Sequence, residues 1–234
     1  DGTVASWGSN SYGKLGSKTI THSHVPVAVV TSGVLSGKTV VAVSAGEEHT
    51  LALCSDGTLA AWGYNGAGQL GNKSTMNSDV PVAVMTTGIL SSKTVVSISA
   101  GGHYSLALCS DGTLVAWGAN YGSQLGSDSK TNSDVPVAVT ASGFLADKAV
   151  VAISAGNLHS LLLYSDGTMA AWGGNNRGQL GNDRMLESLV PVAVMQTGAL
   201  SGKTVTTISA GASHNLVLCS DGTVAAWGSN YSGL

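Results

Sequence analysis

Apolar residues along the chain fall in short runs, each closed by Gly, Asp, Ser or Asn, and the same four runs return in a fixed order. Within residues 56–110 they read TLAAW (Thr58–Trp62), VPVAV (Val80–Val84), TVVSIS (Thr94–Ser99) and SLALC (Ser105–Cys109). Runs this short, rich in Val, Ile and Leu and separated by turn residues, predict β-strands and leave no foothold for a helix. SLALC meets the next TLVAW through Ser110-Asp111-Gly112. Asp-Gly between two β runs predicts a tight hairpin, because Gly accepts positive φ without penalty. Alternation inside the runs is weak. In SLALC, Leu106 and Leu108 are expected to face one neighbour and Ala107 and Cys109 the other, so both faces of the sheet are apolar or small.

The order of runs is set by a repeat. Asp-Gly-Thr recurs at Asp1, Asp56, Asp111, Asp166 and Asp221, a constant step of 55 residues. The chain therefore reads as units 1–55, 56–110, 111–165 and 166–220 with a partial fifth, 221–234, in which DGTVAAWGSNYSG matches the opening DGTVASWGSNSYG. Four strands per unit, a long fixed period and sheets covered on both faces predict an all-β fold, a β-propeller of four-stranded blades. Trp7, Trp62, Trp117, Trp172 and Trp227 hold one column of the repeat and are expected to pack in the core. TVASW at Thr3–Trp7 is supplied again as TVAAW at Thr223–Trp227, so the expectation is a single repeat array continuing into further blades. The alternative is a closed four-blade ring.

Composition narrows the function classes. The formal net charge is -3, charged residues make up 10% of the chain, and no Lys/Arg run occurs, which argues against a nucleic-acid partner. No apolar stretch reaches the length of a membrane-crossing helix, so no membrane insertion is expected. Cys54, Cys109 and Cys219 share a column that Tyr164 fills in the third unit, which predicts buried free thiols instead of a disulfide framework. Poverty in Lys and Glu with richness in Gly, Ser, Thr, Val and Ala favours an extracellular or cell-surface setting.

SAGEEHTLALCSDGTLAAWGYNGAGQLG (Ser44–Gly71) and SAGGHYSLALCSDGTLVAWGANYGSQLG (Ser99–Gly126) resemble the regulator-of-chromosome-condensation repeat family, and the likeness spans the chain. It is carried by Ala-Gly, His, Ser/Thr, Leu-x-Leu, Asp-Gly, Trp-Gly-x-Asn and Leu-Gly in fixed order. The resemblance implies a propeller, commonly of seven blades, with each repeat straddling two blades, and a bacterial-type secreted or surface member is the expectation. Function does not follow from it: members include a guanine-nucleotide exchange factor on chromatin, a plant ultraviolet-light receptor and secreted bacterial inhibitors that cap an enzyme. The exchange factor acts through an inserted wedge, and the constant step leaves no insertion between Asp1 and Asp221.

Candidate chemistry is thin, and the expectation is a non-enzymatic protein with no cofactor and no metal. His49, His159 and His214 form a column, with Tyr104 in the second unit, followed by Thr50, Ser160 and Asn215. Catalysis needs one unlike constellation, whereas these residues recur once per blade, so structural hydrogen bonding is expected of them. The repeated Ser55-Asp56, Ser110-Asp111, Ser165-Asp166 and Ser220-Asp221 read as turn chemistry. His22-x-His24 has a spacing that metals use but lacks further ligands nearby, which favours loop histidines over a zinc site. Asn72-Lys73-Ser74 and Asn230-Tyr231-Ser232 fit the glycosylation sequon.

What differs between units is free to serve a partner. The segments 17–24, 72–79, 127–134 and 182–189 vary most, and a second variable stretch at 30–36, 85–91, 140–146 and 195–201 retains a Gly-x-Leu core. The fourth loop, Asn182–Leu189, replaces Ser/Thr/Asn filler with Arg184, Met185, Leu186 and Glu187. With Arg177 beside it, this loop is the expected protein-binding site. The competing reading packs Met185 and Leu186 onto an adjacent blade, or onto a blade lying outside this sequence. Two further functional readings stand behind an interaction module. One is a structural segment of a longer surface or fibre-forming protein, with self-association through incomplete terminal blades. The other is a guanine-nucleotide exchange or other enzyme-regulating activity.

Overall fold

A computed structural model describes residues 2–140 and 148–231. Most of the third copy of the second variable stretch (140–146) and the end of the partial fifth unit lie outside the described residues. The chain divides into two compact units, Asp1–Ala119 with Asn132–Val137, and Asn120–Thr131 with Ala138–Leu234.

The first unit holds three antiparallel sheets. β1 (Ala5–Gly8) pairs with β2 (Ser23–Ala28). β3 (Val40–Ala45), β4 (His49–Cys54), β5 (Leu59–Gly63) and β6 (Ser78–Ala83) form a four-stranded meander, and β7 (Val95–Ala100), β8 (Tyr104–Cys109), β9 (Leu114–Gly118) and β10 (Ser133–Ala138) repeat it. The second unit holds the sheet of β11 (Val150–Ala155), β12 (His159–Tyr164), β13 (Met169–Gly173) and β14 (Ser188–Ala193). Beside it is the three-stranded sheet of β15 (Val205–Ala210), β16 (His214–Cys219) and β17 (Val224–Gly228). Each four-stranded sheet takes two strands from one sequence repeat and two from the next, so the repeats straddle the blades as the family resemblance implies.

Local chemistry explains the strand ends. The Asp-Gly hairpins joining β4 to β5, β8 to β9, β12 to β13 and β16 to β17 place Gly57, Gly112, Gly167 and Gly222 at φ of +80° to +85°. Asp56 accepts the Thr58 N–H at 3.0 Å and pairs with Lys38, and the same Lys–Asp pair recurs as Lys93–Asp111, Lys148–Asp166 and Lys203–Asp221. Pro26, Pro81, Pro136 and Pro191 all sit on the outermost strand of a sheet, where the missing N–H costs no ladder bond.

The core lies between blades. Leu51, Leu53, Leu59 and Ala61 from one sheet pack against Ala107, Cys109, Val115 and Trp117 from the next. Leu161, Leu163, Met169 and Ala171 meet Val217, Cys219, Ala225 and Trp227 in the same way. Large side chains on one face thus fill the hollow left by small ones on the facing sheet. The cysteines are free and buried, as expected, and burial raises the Cys54 and Cys109 pKa values. Tyr164 takes the same buried column.

Two features depart from the sequence expectation. The retained Gly-x-Leu cores form single-turn 3-10 helices at Gly33–Leu35, Gly88–Leu90 and Gly198–Leu200, because each turn drives its Leu into an inter-blade core. Trp62, Trp117 and Trp172 are fully buried and Trp227 is half-buried, but Trp7, on the two-stranded β1–β2 sheet, is 61% exposed.

Candidate functional site

The histidine column is a structural relay. His49 Nε2 lies 2.9 Å from the Ser105 hydroxyl, which donates to the Gln69 carbonyl at 2.9 Å, and the Trp117 indole N–H donates to that same carbonyl at 2.9 Å. Because the Ser105 proton goes to Gln69, Ser105 accepts from His49 and the imidazole proton sits on Nε2. In the second unit His159 Nε2 is 2.9 Å from Asn215 Oδ1, the Asn215 amide donates to the Gln179 carbonyl at 2.7 Å, and Trp227 donates there at 3.0 Å. His49 Nδ1 faces Gly46 and has no hydrogen-bond partner among the described residues. Burial, and secondarily the nearby His103, lowers the His49 pKa to about 3, and burial lowers that of His159. A proton shuttle near neutral pH needs the opposite tuning.

His22 also has a structural partner, since its Nδ1 accepts the Asn10 N–H at 2.8 Å. Asn77 Oδ1 does the same for the Asn65 N–H at 2.8 Å in the next repeat.

The variable loops are held from below by the Asn of Trp-Gly-x-Asn. Asn65 Oδ1 accepts the Leu70 N–H at 2.9 Å while its amide donates to the carbonyls of Ser74 at 2.8 Å and Met76 at 3.0 Å. Asn10, Asn120 and Asn175 make the equivalent set, Asn175 to Leu180, Arg184 and Leu186. Most of the anchor bonds go to the loop main chain, with longer contacts from the same amides to the Thr19, Asn72 and Asn182 side chains at 3.4, 3.2 and 3.3 Å. The loop path is therefore held mainly through its main chain, which lets the remaining side chains diverge without disturbing the blade.

All five expected contact residues reach the surface on this frame. Arg177 and Arg184 are exposed, Met185 is 61% and Leu186 76% exposed, and Glu187 pairs with Lys130 of the same unit. The Met185 sulfur lies beside Gly178, 3.7 Å from where a Cβ would sit, so it adjoins the turn that carries Arg177. Neither Met185 nor Leu186 is covered by a blade among the described residues. The fourth loop is not alone in this: Ile20 and Met76, in the first two loops, are 70% and 77% exposed.

One signal in the aligned repeats was missed. The position before the loop leucine is Gln69, Gln124 and Gln179 in three repeats and Lys14 in the first, the repeat in which Tyr12 lies against Tyr64.

Blades of this pattern, laced by a Trp–Gln–His relay and carrying loops on an Asn anchor, define a β-propeller repeat protein. The chain belongs to the RCC1-like domain family, whose profile matches residues 1–234. It is 35% identical over 234 residues to the human probable E3 ubiquitin-protein ligase HERC6, covering 98% of this chain and 22% of that protein. It is 30% identical over 233 residues to the Arabidopsis thaliana ultraviolet-B receptor UVR8, covering 100% of this chain and 50% of the receptor. Among solved structures it is similar to human WBSCR16, with a TM-score of 0.81 and 28% identity over 97% of this chain and 57% of that one. It is also similar to Prp20p from Saccharomyces cerevisiae, with a TM-score of 0.79 and 25% identity over 96% of this chain and 52% of Prp20p. The chain spans half or less of the two curated relatives. An RCC1-like propeller is a protein-interaction or regulatory module.

Proposed function

We propose that this chain is a non-enzymatic interaction module whose partner contact centres on Asn182–Leu189 with Arg177 beside it. The observation that carries this reading is the exposure of Met185 and Leu186 on a loop whose main chain Asn175 already fixes. Apolar side chains held in place and flanked by arginines contribute to binding without first having to be ordered. Prp20p, described with its binding to Gsp1p and histones, supports a protein as the partner class. Ligase and exchange activities of relatives are not assigned to these residues. An extracellular or cell-surface setting rests on composition alone. The test is the double substitution Arg184→Ser and Leu186→Ser, which gives this loop the polar filler of the others. Capture of the native partner should fall with the melting temperature unchanged. Unchanged capture, or a lowered melting temperature, overturns the assignment.

A second reading is favoured by a different observation. Leu216, Leu218 and Val224 are 41%, 40% and 63% exposed, although their counterparts Leu51, Leu53 and Leu59 are buried beneath the following blade. That apolar face suits a structural array in which further blades, or a second copy, stack on the β15–β17 sheet. Leu218→Glu should then abolish concentration-dependent growth in sedimentation size. Absence of any such growth in the parent chain counts against self-association.

A further inference from the structure

In three repeats the Gln before the loop leucine closes its turn with the side chain: Gln69, Gln124 and Gln179 Oε1 accept the N–H of Ala67, Gly122 and Arg177 at 3.0, 2.8 and 2.7 Å. Lys14 occupies this place in the first repeat and has no acceptor to offer. Its Nζ instead donates to the Glu47 carbonyl at 2.9 Å and the Glu48 carboxylate at 2.6 Å. Tyr12, without the tether, turns to φ 63° and ψ 10°, a left-handed conformation that none of its counterparts Ala67, Gly122 and Arg177 shares. Its ring comes to rest 4.8 Å from that of Tyr64, and His103 meets Tyr64 edge-on at 5.6 Å. Gly66 leaves the room for this, since a Cβ there would stand 2.2 Å from the Tyr64 hydroxyl oxygen. The bulk is local to this place: Tyr64 is replaced by Ser9, Ala119 and Gly174 in the other repeats.

We propose that Tyr12, Tyr64 and His103 form a binding site for an arginine side chain of a partner polypeptide, separate from the Asn182–Leu189 contact. Tyr12 remains 48% exposed, so its ring is open to a ligand. The surroundings are acidic. Glu47 is exposed, Glu48 is paired with Lys14, and Asp79 borders the Tyr12 turn with its Cβ 2.5 Å from where a Gly13 Cβ would lie. Of these carboxylates only that of Glu48 is paired with the Lys14 ammonium, which takes the main-chain carbonyl and not the carboxylate of Glu47, while the Lys18 N–H donates to the Asp79 carbonyl at 3.0 Å. A guanidinium stacks on tyrosine faces while its edge donates to carboxylates, and it is more weakly hydrated than a lysine ammonium, so arginine fits both features of the site.

The test titrates the full chain, with tyrosine and histidine rings isotopically labelled for NMR, using capped tripeptides Gly-Arg-Gly, Gly-citrulline-Gly and Gly-Trp-Gly. The arginine peptide should shift the Tyr12, Tyr64 and His103 ring signals saturably in about the millimolar range, at least about five-fold more tightly than the citrulline peptide at low salt. Tyr12→Gly and Tyr64→Ala, which install residues that the other repeats carry, should remove this response while the melting temperature holds. Glu47→Gln should weaken binding and flatten its salt dependence. Equal response to citrulline or a stronger one to the tryptophan peptide overturns the proposal, as does the absence of saturable shifts.

Discussion

His49 and Ser105 lie 56 residues apart in sequence and 2.9 Å apart in space, and His159 and Asn215 repeat both figures. The spacing is one repeat plus one residue. Each histidine therefore reaches the residue beside the next blade's own histidine column, and through it the Gln carbonyl on which the Trp indole also rests.

Breaking this relay should cost stability and nothing else. His49→Ala takes from the buried Ser105 hydroxyl the donor it accepts from, at about 1–3 kcal/mol, while the Gln69 carbonyl keeps Ser105 and Trp117. Urea unfolding measures the cost. A loss of partner binding at unchanged stability would contradict the structural role.

Acid should act through the same residue. The folded-state pKa of His49 is held at about 3, below its ordinary value of 6.5, so the unfolded chain takes up the proton first. Stability from this site is complete above pH 6.5 and is lost progressively as pH falls toward 3. The exposed aspartates act later: Lys38 holds the Asp56 pKa at about 2, so its contribution is present above 3.8, fades only below that, and is weakened by solvent screening. His49→Gln should flatten the unfolding midpoint between pH 6.5 and 4 relative to the parent chain.

Two glycines with similar backbone angles should respond differently to alanine. Gly71 has φ +64° and a Cβ there would sit 2.7 Å from the Trp117 indole nitrogen, whereas Gly57 has φ +84° and nothing within 4 Å. Gly57→Ala carries only the left-handed strain, about 1 kcal/mol. Gly71→Ala must also displace a buried indole and should cost about 2–4 kcal/mol. Equal midpoints in urea would show that the Trp yields freely.

Asn175→Ala removes the acceptor for the Leu180 N–H and the donors to Arg184 and Leu186 together. A global cost of about 1–3 kcal/mol is expected. Limited proteolysis should also shift to 182–187, since the side chains of that loop have no blade to hold them. Cleavage unchanged from the parent would mean that the loop is fixed by other contacts.

The sequence by itself determined the strands, their hairpins and the family. Each of these is written in near-neighbour chemistry: Asp-Gly turns that need positive φ, short β-branched runs, and a period that returns the same residues to the same environment. The structure alone decided which groups meet between repeats, because contacts such as Trp117 with Gln69 or His49 with Ser105 join positions 48 and 56 residues apart. It decided that Met185 and Leu186 lie open to solvent, which residue type could not settle, since apolar side chains fill a blade gap as readily as they leave it. It also turned a one-residue departure, Lys14 for Gln, into a different backbone at Tyr12. A consensus treats that exchange as one polar residue for another, whereas in space it removes a hydrogen-bond acceptor and reorients a tyrosine.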